Sequence, residues 1–244
     1  MSRIFITGSA DGLGQLAAKL LVKQGHHVVL HARTAERGRD ALSQVPGAEK
    51  VLIADLSSME ETKQLAEEVN TIGPFDAVIH NAGVYQASRK LIFAVNTLAP
   101  YILTCLIQKP KRLIYLSSGM HLQGNPNLES LADNTSYSDS KLHVVMLAKA
   151  VASKWPEVYA NAVDPGWVPT KMGGAGAPDN LEKGFKTQAW LAVSNDNQAK
   201  VSGNYFYHQK QKHHSPKADD IHLQDKFLML CEQISSVHFP DHLV

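Results

Sequence analysis

The stretch TGSADGLG, residues 7–14, stands between a short apolar run, RIFIT at 3–7, and a segment with the spacing of a helix. A glycine-rich turn after a strand and before a helix is typical of a dinucleotide-binding unit. Gly8 would permit a tight turn, while Gly12 and Gly14 would let a pyrophosphate and the sheet approach the backbone closely. The free N–H groups of the following helix would face phosphate. We therefore predict that this turn binds a dinucleotide through Gly8, Ser9, Asp11, Gly12, Leu13 and Gly14.

Further apolar runs follow the turn and alternate with segments of helical period. They lie at 27–32, 51–54, 75–80, 112–117, 158–163 and 203–207. Each run is almost continuously apolar, which is typical of strands buried on both faces of a sheet. The repeated strand–helix order predicts an α/β fold: one Rossmann-type domain, a doubly wound parallel sheet with helices on both faces. Within a single domain 1–244, we expect residues 1–110 to form mainly the dinucleotide-binding half and residues 111–244 the catalytic and substrate half.

The overall composition is that of an ordinary globular protein, with 44% hydrophobic and 19% charged residues among 244. A net charge of +1 offers no electrostatic reason to bind nucleic acid or an anionic membrane. No continuous apolar stretch approaches the roughly 18 residues of a membrane span. The first residues read as a strand rather than a signal peptide, and Cys105 and Cys231 match no metal or redox spacing. We expect a cytoplasmic protein with no nucleic-acid partner, no membrane span and no bound metal.

The end of the second apolar run indicates which dinucleotide is bound. An NAD site usually places an acidic residue there, about 20 residues after the glycines, to bind the ribose 2′-hydroxyl. Here the residues are His31, Ala32, Arg33 and Thr34, with no carboxylate before Glu36. A guanidinium at this position could bind a 2′-phosphate through charge-assisted hydrogen bonds, so we predict NADP(H) over NAD(H). The alternative is that Arg33 is an ordinary solvated loop residue.

Two more strand ends are suited to the adenosine part of a dinucleotide. The third run is followed by ADLS at 54–57, where Asp55 and the Leu56 backbone could meet the adenine. The fourth run ends in HNAG at 80–83, whose small residues would leave room for a ribose. Asp55 could instead be only an N-terminal helix cap. The residues predicted to contact the cofactor here are Asp55, Leu56, Asn81, Ala82 and Gly83.

The stretch YSDSK at 137–141 places a phenol and an ammonium group on one face of a helical turn. With 7 tyrosines in the chain, one such spacing is close to what chance produces, so its context must decide its meaning. A free phenol has a pKa near about 10, and a neighbouring cation favours the phenolate. Tyr137 and Lys141 are therefore a candidate proton-transfer pair.

Five motifs in order, TGSADGLG, NAG at 81–83, SSG at 117–119, YSDSK and DPGWVPT at 164–170, resemble the short-chain dehydrogenase/reductase family. Together they span about two thirds of the chain. The segment between SSG and YSDSK is similar to the retinol dehydrogenase-like and WW-domain oxidoreductase-like subgroup. The resemblance implies an NADP(H)-dependent enzyme that interconverts a carbonyl and an alcohol, and a homodimer or homotetramer.

The resemblance also implies roles for individual residues. Tyr137 would be the general acid/base, and Lys141 would lower its pKa and bind the nicotinamide ribose. Ser118 would hydrogen-bond the substrate oxygen, with Ser117 as the neighbouring candidate. Asn96, in FAVNTLAP, would support Lys141 through a water molecule.

The segment PGWVPT leaves the sixth run at the edge of the sheet where ligands bind in open α/β folds. Pro165 and Gly166 would turn the chain beside the nicotinamide, and Val168 would also contact the cofactor. Thr170 could touch the carboxamide or cap a helix. We expect residues 171–195 to form a substrate lid, with Met172, Phe185 and Trp190 as apolar contacts or as packing residues.

Three other features have less defined roles. Met120 and His121 could line the substrate pocket, and His121 could be a second acid/base. His208, His213 and His214 form a cluster that we interpret as a solvated loop rather than a metal site. The amphipathic segment 223–234 could pack on its own domain or on a partner subunit.

Three alternatives to the carbonyl reductase remain. A catalytically silent NADP(H)-binding regulatory protein could share the fold, although it would not need a Ser–Tyr–Lys set. A sugar epimerase or dehydratase would usually need another glycine spacing and a larger substrate domain. A methyltransferase would have no use for Tyr137 with Lys141. The substrate itself is expected to be a small, lipophilic carbonyl compound or alcohol.

Overall fold

One sheet organises the chain in the computed structural model, which describes residues 1–240. Its strands follow one another in space as β3-β2-β1-β4-β5-β6-β7-β8; the first seven are parallel, and β8 pairs antiparallel with β7. The bounds are β1 Arg3–Ile6, β2 His27–Ala32, β3 Lys50–Ile53, β4 Ala77–His80, β5 Arg112–Leu116, β6 Tyr159–Asp164, β7 Tyr205–Tyr207 and β8 Lys210–Gln211.

All seven predicted strands are confirmed within a few residues at each end. The eighth was not predicted, because its two residues are polar and exposed and carry no apolar signal.

Helices connect the parallel strands and cover both faces of the sheet. Their bounds are α1 Gly12–Lys23, α2 Ala35–Gln44, α3 Met59–Ile72, α4 Arg89–Ile92, α5 Ala99–Leu106, α6 Leu131–Asn134, α7 Tyr137–Lys154, α8 Leu181–Val193 and α9 Ile221–Ser235. A wider π turn, Phe93–Leu98, joins α4 to α5. Short 3₁₀ turns lie at Gly119–Gln123 and Pro216–Asp219.

Alternation along each strand divides the core into two layers. In β1, Phe5 points into the layer with α3, α5 and α7, while Ile4 and Ile6 point into the layer with α1 and α8. Successive side chains of a strand point to opposite faces, so a strand covered on both sides must be apolar at every position. The predicted doubly wound α/β fold is confirmed.

The chain reverses its direction of winding between β1 and β4. From β1 it proceeds through β2 to β3, and then returns to add β4 on the other side of β1. At such a switch point the loops after the two central strands diverge, which leaves a crevice at their carboxyl ends.

Helix α9 packs on its own domain. Its Phe227 stacks on His143 of α7, with ring centroids 5.2 Å apart. Beyond the helix, the Tyr101 hydroxyl of α5 donates to the Val237 carbonyl at 2.8 Å. Across residues 1–240, none of the helices has both the length and the apolar character needed to cross a membrane.

Candidate active site

The glycine turn closes over the carboxyl ends of β1 and β4. Gly8 has φ +61° and Gly12 φ +56°, a backbone region that other residues rarely adopt. A Cβ on Gly8 would lie 2.8 Å from the Ala82 Cα atom, so the two loops can meet only because Gly8 has no side chain. Asn81 fastens them together, since its amide nitrogen donates to the carbonyls of Thr7 at 2.9 Å and Gly8 at 3.0 Å.

The buried side chain of His31 holds this turn by hydrogen bonds, a role that the sequence analysis missed. Its Nδ1 accepts a hydrogen bond from the Gly8 N–H at 2.9 Å, and its Nε2–H therefore donates to the Ala54 carbonyl at 3.0 Å. Burial lowers the pKa of His31 to about 4, which keeps the ring neutral and able to accept. Ser9 is buried in the same network: it donates to the Ile6 carbonyl and accepts from the His31 N–H.

We expect His31 to make the stability of the protein depend on pH in a defined window. The folded pKa lies below the ordinary value of 6.5, so the unfolded chain binds a proton first and stability falls as pH drops from about 6.5 to about 4. Over this range the free energy of unfolding should fall by on the order of 3 kcal/mol more than in a variant with no titrating group at position 31. Thermal unfolding of the wild type and His31→Gln across this range measures it. A difference between the two proteins that is independent of pH would contradict the prediction; the other buried histidines are common to both.

A crevice of about 280 Å³ runs along the turn, across the ends of β1, β2 and β4. Most of the residues predicted to bind the cofactor line it. They are Gly8, Asp11, Gly12, Leu13, Arg33, Asp55, Leu56, Asn81, Ala82, Gly83, Tyr137, Lys141, Pro165 and Thr170. Ser9 and Gly14 do not; Gly14 instead lets α1 approach the Asn81 side chain. Gly166 and Val168 line a neighbouring, larger cavity.

One end of the crevice carries several cations. Arg33 lines the crevice and is exposed, and Arg37 and Lys171 line it as well. Arg37 and Lys171 both form ion pairs with the Asp11 carboxylate, the latter at 3.3 Å. The sequence analysis missed these two cations. Arg37 could have been found because it lies four residues after Arg33, in the first turn of α2, whereas Lys171 is brought in from a distant loop.

Asp55 stays in the crevice and does not cap α3. Its Oδ1 accepts from the backbone N–H of Ser57 at 2.9 Å and from the Ser57 hydroxyl at 2.8 Å. Ser58 is the cap residue, since its hydroxyl accepts from the Glu61 N–H. The alternative interpretation of Asp55 as a helix cap is therefore wrong.

Tyr137 is the first residue of α7, and a capping box places it there. The Ser136 hydroxyl accepts from the Asp139 N–H, and the Asp139 carboxylate accepts from the Ser136 N–H. Lys141 follows one turn later, with its Nζ 5.4 Å from the centre of the Tyr137 ring. Its ammonium donates to the Leu116 carbonyl at 2.8 Å, and burial lowers its pKa to about 8.

The expected effect of Lys141 on Tyr137 is wrong for the protein without cofactor. The pKa of Tyr137 is raised to about 12, first by burial and then by the Asp164 carboxylate and Tyr85, while a hydrogen bond with Ser118 acts in the opposite direction. Removing water disfavours the phenolate, and the carboxylate disfavours it further. The tyrosine is thus held in its protonated, acidic form.

The two serines after β5 have different environments. Ser117 is buried and donates its hydroxyl proton to the Lys141 carbonyl at 2.8 Å. Both serines line the larger cavity, but it is Ser118 that interacts with the Tyr137 hydroxyl. The geometry therefore favours Ser118 over Ser117 as the group that could meet a substrate oxygen.

Asn96 lies in the π turn behind the site. Pro100 has no N–H to donate to the Asn96 carbonyl four residues earlier, which accounts for the widened turn. The Asn96 side chain is fully engaged: it accepts from the Val84 N–H and donates to the Val84 carbonyl and the Ser140 hydroxyl. A Cβ at Gly83 would be 3.5 Å from both Asn96 Oδ1 and Lys141 Nζ, so this glycine leaves the space between them.

The larger cavity, about 800 Å³, adjoins the crevice at Tyr137. Its walls are apolar where Tyr85, Met120, Trp167 and Met172 line it, and polar at Ser118. Asp164, Asp179 and Tyr207 also line it, and none of these was predicted.

The predicted lid, 171–195, divides into two parts. Residues before α8 border the cavity, including Met172. Helix α8 packs against α1 in the core layer, and its Trp190 meets Phe206 edge to face at 5.7 Å. Phe185 packs in the same layer. These two aromatic residues are packing residues, and the lid stays a prediction only for the loop.

His121, His214 and His208 each contact protein groups. His121 is buried; its Nδ1–H donates to the Ser118 carbonyl at 2.7 Å and its Nε2 accepts from the Ser215 N–H, which leaves no ring nitrogen for a ligand. His214 pairs with Asp219 at 3.0 Å, and His208 stacks on Tyr207. Within the described part of the chain, no group of three or more His, Cys, Asp or Glu residues is placed to hold a metal ion.

Comparison with known proteins gives consistent results. A sequence model described as short chain dehydrogenase matches residues 2–180. An uncharacterized oxidoreductase of Emericella nidulans is 48% identical, covering 98% of this chain and 99% of that protein. The short-chain dehydrogenase chyC of Penicillium rubens is 42% identical over 98% and 100%. Retinol dehydrogenase 13 of Mus musculus is 27% identical over 89% and 78%.

Solved structures show the same fold at low identity. An uncharacterized protein from Mycobacterium paratuberculosis superposes with a TM-score of 0.82 at 22% identity, covering 98% of this chain and 95% of that one. A blue fluorescent protein from a metagenomic library, solved in complex with NADPH, superposes with a TM-score of 0.70 at 19% identity, over 84% and 95%.

Proposed function

Since the chain belongs to the short-chain dehydrogenase family, we propose that this oxidoreductase interconverts a carbonyl and an alcohol with NADP(H) at a Ser–Tyr–Lys site. One observation carries the proposal: Tyr137 borders both the glycine-lined crevice and the larger cavity. A group at that position can contact a cofactor on one side and a substrate on the other. The site therefore has the arrangement that a proton-coupled hydride transfer requires.

The residues of the crevice fit a phosphorylated dinucleotide. The backbone at Gly8 and Gly12 leaves a cradle that side chains would fill, and the N-terminus of α1 faces it. Arg33 and Arg37 would hold a 2′-phosphate, supported by the N-terminus of α2. Neighbours of the same fold are solved with NADPH or NADP, which favours the same cofactor here. When bound, NADPH supplies the hydride.

The side chains around Tyr137 would handle the proton and the developing charge. Protonated Tyr137 donates its proton to the substrate oxygen as negative charge grows there. Ser118 donates a hydrogen bond to the same oxygen. Lys141 would hold the ribose and supply a positive charge to the site, while Asn96 and Gly83 border the space around its ammonium. Because its pKa is raised, Tyr137 carries at neutral pH the proton that carbonyl reduction would consume.

The larger cavity suits a small, partly lipophilic substrate. Tyr85, Met120, Trp167 and Met172 offer apolar contact, and all four are more than a third exposed. Covering such surface by an apolar ligand would be favourable.

Turnover tests the proposal directly. Purified protein is mixed with NADPH and a panel of aldehydes, ketones and quinones, and the loss of NADPH absorbance is followed. We expect reduction of at least one class of carbonyl. Binding of NADPH without turnover of the panel would count against the enzyme and favour the regulatory protein.

The same assay measures cofactor preference. We expect kcat/KM for NADPH to exceed that for NADH by at least about tenfold, because charge-assisted hydrogen bonds to the 2′-phosphate are lost with NADH. A smaller ratio would contradict the assignment of Arg33 to a phosphate while leaving the reductase intact.

A further inference from the structure

Asp164 is a carboxylate inside the proposed substrate cavity that the reaction itself does not use. It is the last residue of β6 and lies beside Tyr137 and Ser118 in the cavity wall. Its Oδ1 accepts from the Gly166 N–H at 2.8 Å. Its Oδ2 faces Gly119, where an added Cβ would be only 3.2 Å away. The missing side chain of Gly119 thus leaves this oxygen open beside the serine that would bind the substrate oxygen.

The protein satisfies this carboxylate only in part. A carboxylate offers about four acceptor positions. Burial, followed by the Asp164 charge and a hydrogen bond to that carboxylate, raises the pKa of the Tyr205 hydroxyl. With the Gly166 N–H also donating, about two of the four acceptor positions of Asp164 are left free. The nearby Lys141 ammonium is bonded to the Leu116 carbonyl instead. A half-buried carboxylate with spare acceptor capacity is best stabilised when a ligand supplies a donor.

The position of Asp164 also affects which carbonyl can be reduced. Negative charge grows on the substrate oxygen in the transition state, and an unscreened carboxylate beside Ser118 would oppose it. A hydrogen-bond donor on the substrate, placed between the substrate oxygen and the Asp164 carboxylate, would screen the charge of the carboxylate. An apolar ketone cannot do this.

Building on the proposed reductase activity, we propose that Asp164 selects carbonyl substrates that carry a hydrogen-bond donor, a hydroxyl or an ammonium group, on the carbon next to the carbonyl. An added Cβ on Gly119 would lie 3.2 Å from Oδ2, and Gly119 directly follows Ser118, so the carboxylate and the proposed oxyanion donor line the same part of the cavity. A donor on the carbon next to the carbonyl is the nearest that a substrate bound at Ser118 could offer to Asp164. Asp164 is a specificity-determining residue in this proposal and takes no part in proton transfer.

The test compares ketones that differ only in the donor. 2-Hydroxyacetophenone and 2-methoxyacetophenone have similar carbonyl reactivity, but only the first has an O–H; phenacylamine carries the ammonium. We expect the wild type to prefer the hydroxy ketone or the amine over the methoxy ketone at least about tenfold in kcat/KM. In Asp164→Asn, which can keep the bond to the Gly166 N–H, the ratios should fall to about one while the methoxy ketone is still reduced. Comparing the two donors shows which of them the site accepts better.

Asp179→Asn is the matched control. Asp179 lines the same cavity, but its oxygens already accept from the Trp167 N–H and the Tyr207 hydroxyl. The donor preference should persist in this variant even if its absolute rate changes. Loss of the preference in both variants would show that it depends on the shape of the loop and would overturn the assignment to Asp164.

A binding measurement separates this inference from the proposed reaction. Calorimetric titration of the Tyr137→Phe protein saturated with NADPH, with the hydroxy and the methoxy ketone, does not depend on turnover. Tighter binding of the hydroxy ketone that disappears when Asp164→Asn is added supports the inference, even if the panel of carbonyls is not reduced. Equal binding of the two ketones, or equal turnover by the wild type, overturns it while leaving the reductase in place.

Discussion

Replacement of Tyr137 by phenylalanine is expected to lower kcat/KM for carbonyl reduction by about 10³-fold, while NADPH binding is retained. The phenolic hydroxyl group is the only part of the side chain that is removed. The ring, which meets Tyr85 edge to face at 4.7 Å and covers the Lys141 ammonium, stays in place. Steady-state reduction by both proteins measures the change, and quenching or energy transfer on NADPH binding measures cofactor affinity.

The size of this effect follows from the state of the tyrosine. Its pKa, raised to about 12 mainly by burial, keeps the phenol protonated throughout the neutral range. The proton is therefore present at the position where the substrate oxygen would become negative, and phenylalanine offers no donor there.

Tyr85→Phe is the control for Tyr137→Phe. It removes a hydroxyl group from the same cavity, next to the same ring, and should change kcat/KM by no more than a few-fold. Should Tyr137→Phe retain more than about a tenth of the wild-type activity, the tyrosine is not the acid and Ser118 or a solvent molecule must be considered.

The double variant Arg33→Ala with Arg37→Ala is expected to raise the KM for NADPH by about 100-fold and to change the KM for NADH by less than a few-fold. Both guanidinium groups lie at the cationic end of the crevice. Each charge-assisted hydrogen bond to a phosphate contributes about 1.5–3 kcal/mol, so the loss of both groups removes most of the preference. Initial rates with the two cofactors at a fixed carbonyl concentration measure this.

Arg37 has a second role that the experiment must take into account. Its ion pair with Asp11 neutralises a carboxylate at the edge of the crevice, and Lys171 helps from the other side. In the double variant, Asp11 keeps only Lys171 and would repel a phosphate more strongly. The single variants, measured beside the double, separate direct contact from this repulsion.

Arg39→Ala is the matched control for the arginine variants. Like Arg37→Ala, it removes one positive charge from α2, but the Arg39 side chain is exposed and does not line the crevice. We expect it to leave the ratio of the two KM values nearly unchanged, because exposed charges are screened within about 10 Å. An equal effect from Arg39→Ala would show that the preference reflects general charge rather than a phosphate site.

The sequence by itself determined the features that depend on neighbouring residues in the chain. Continuous apolar runs predicted the seven parallel strands, since a strand covered on both faces must be apolar at each position. The glycine spacing predicted the turn, because a positive φ restricts the residue type at Gly8. One helical turn of α7 predicted that Tyr137 and Lys141 lie on one face.

The tertiary structure decided the features that depend on residues far apart in the sequence. Lys171 forms an ion pair with Asp11, 160 positions away in the sequence. Asp164, at the end of β6, affects the pKa of Tyr137 at the start of α7. The pKa of Tyr137 is raised, opposite to the expected direction, because burial and then the Asp164 carboxylate disfavour the phenolate. A local sequence pattern predicts the backbone hydrogen bonding of one segment and the directions of its side chains. Burial and electrostatic environment arise only when distant segments pack together, and these shift the pKa values of the side chains in the site.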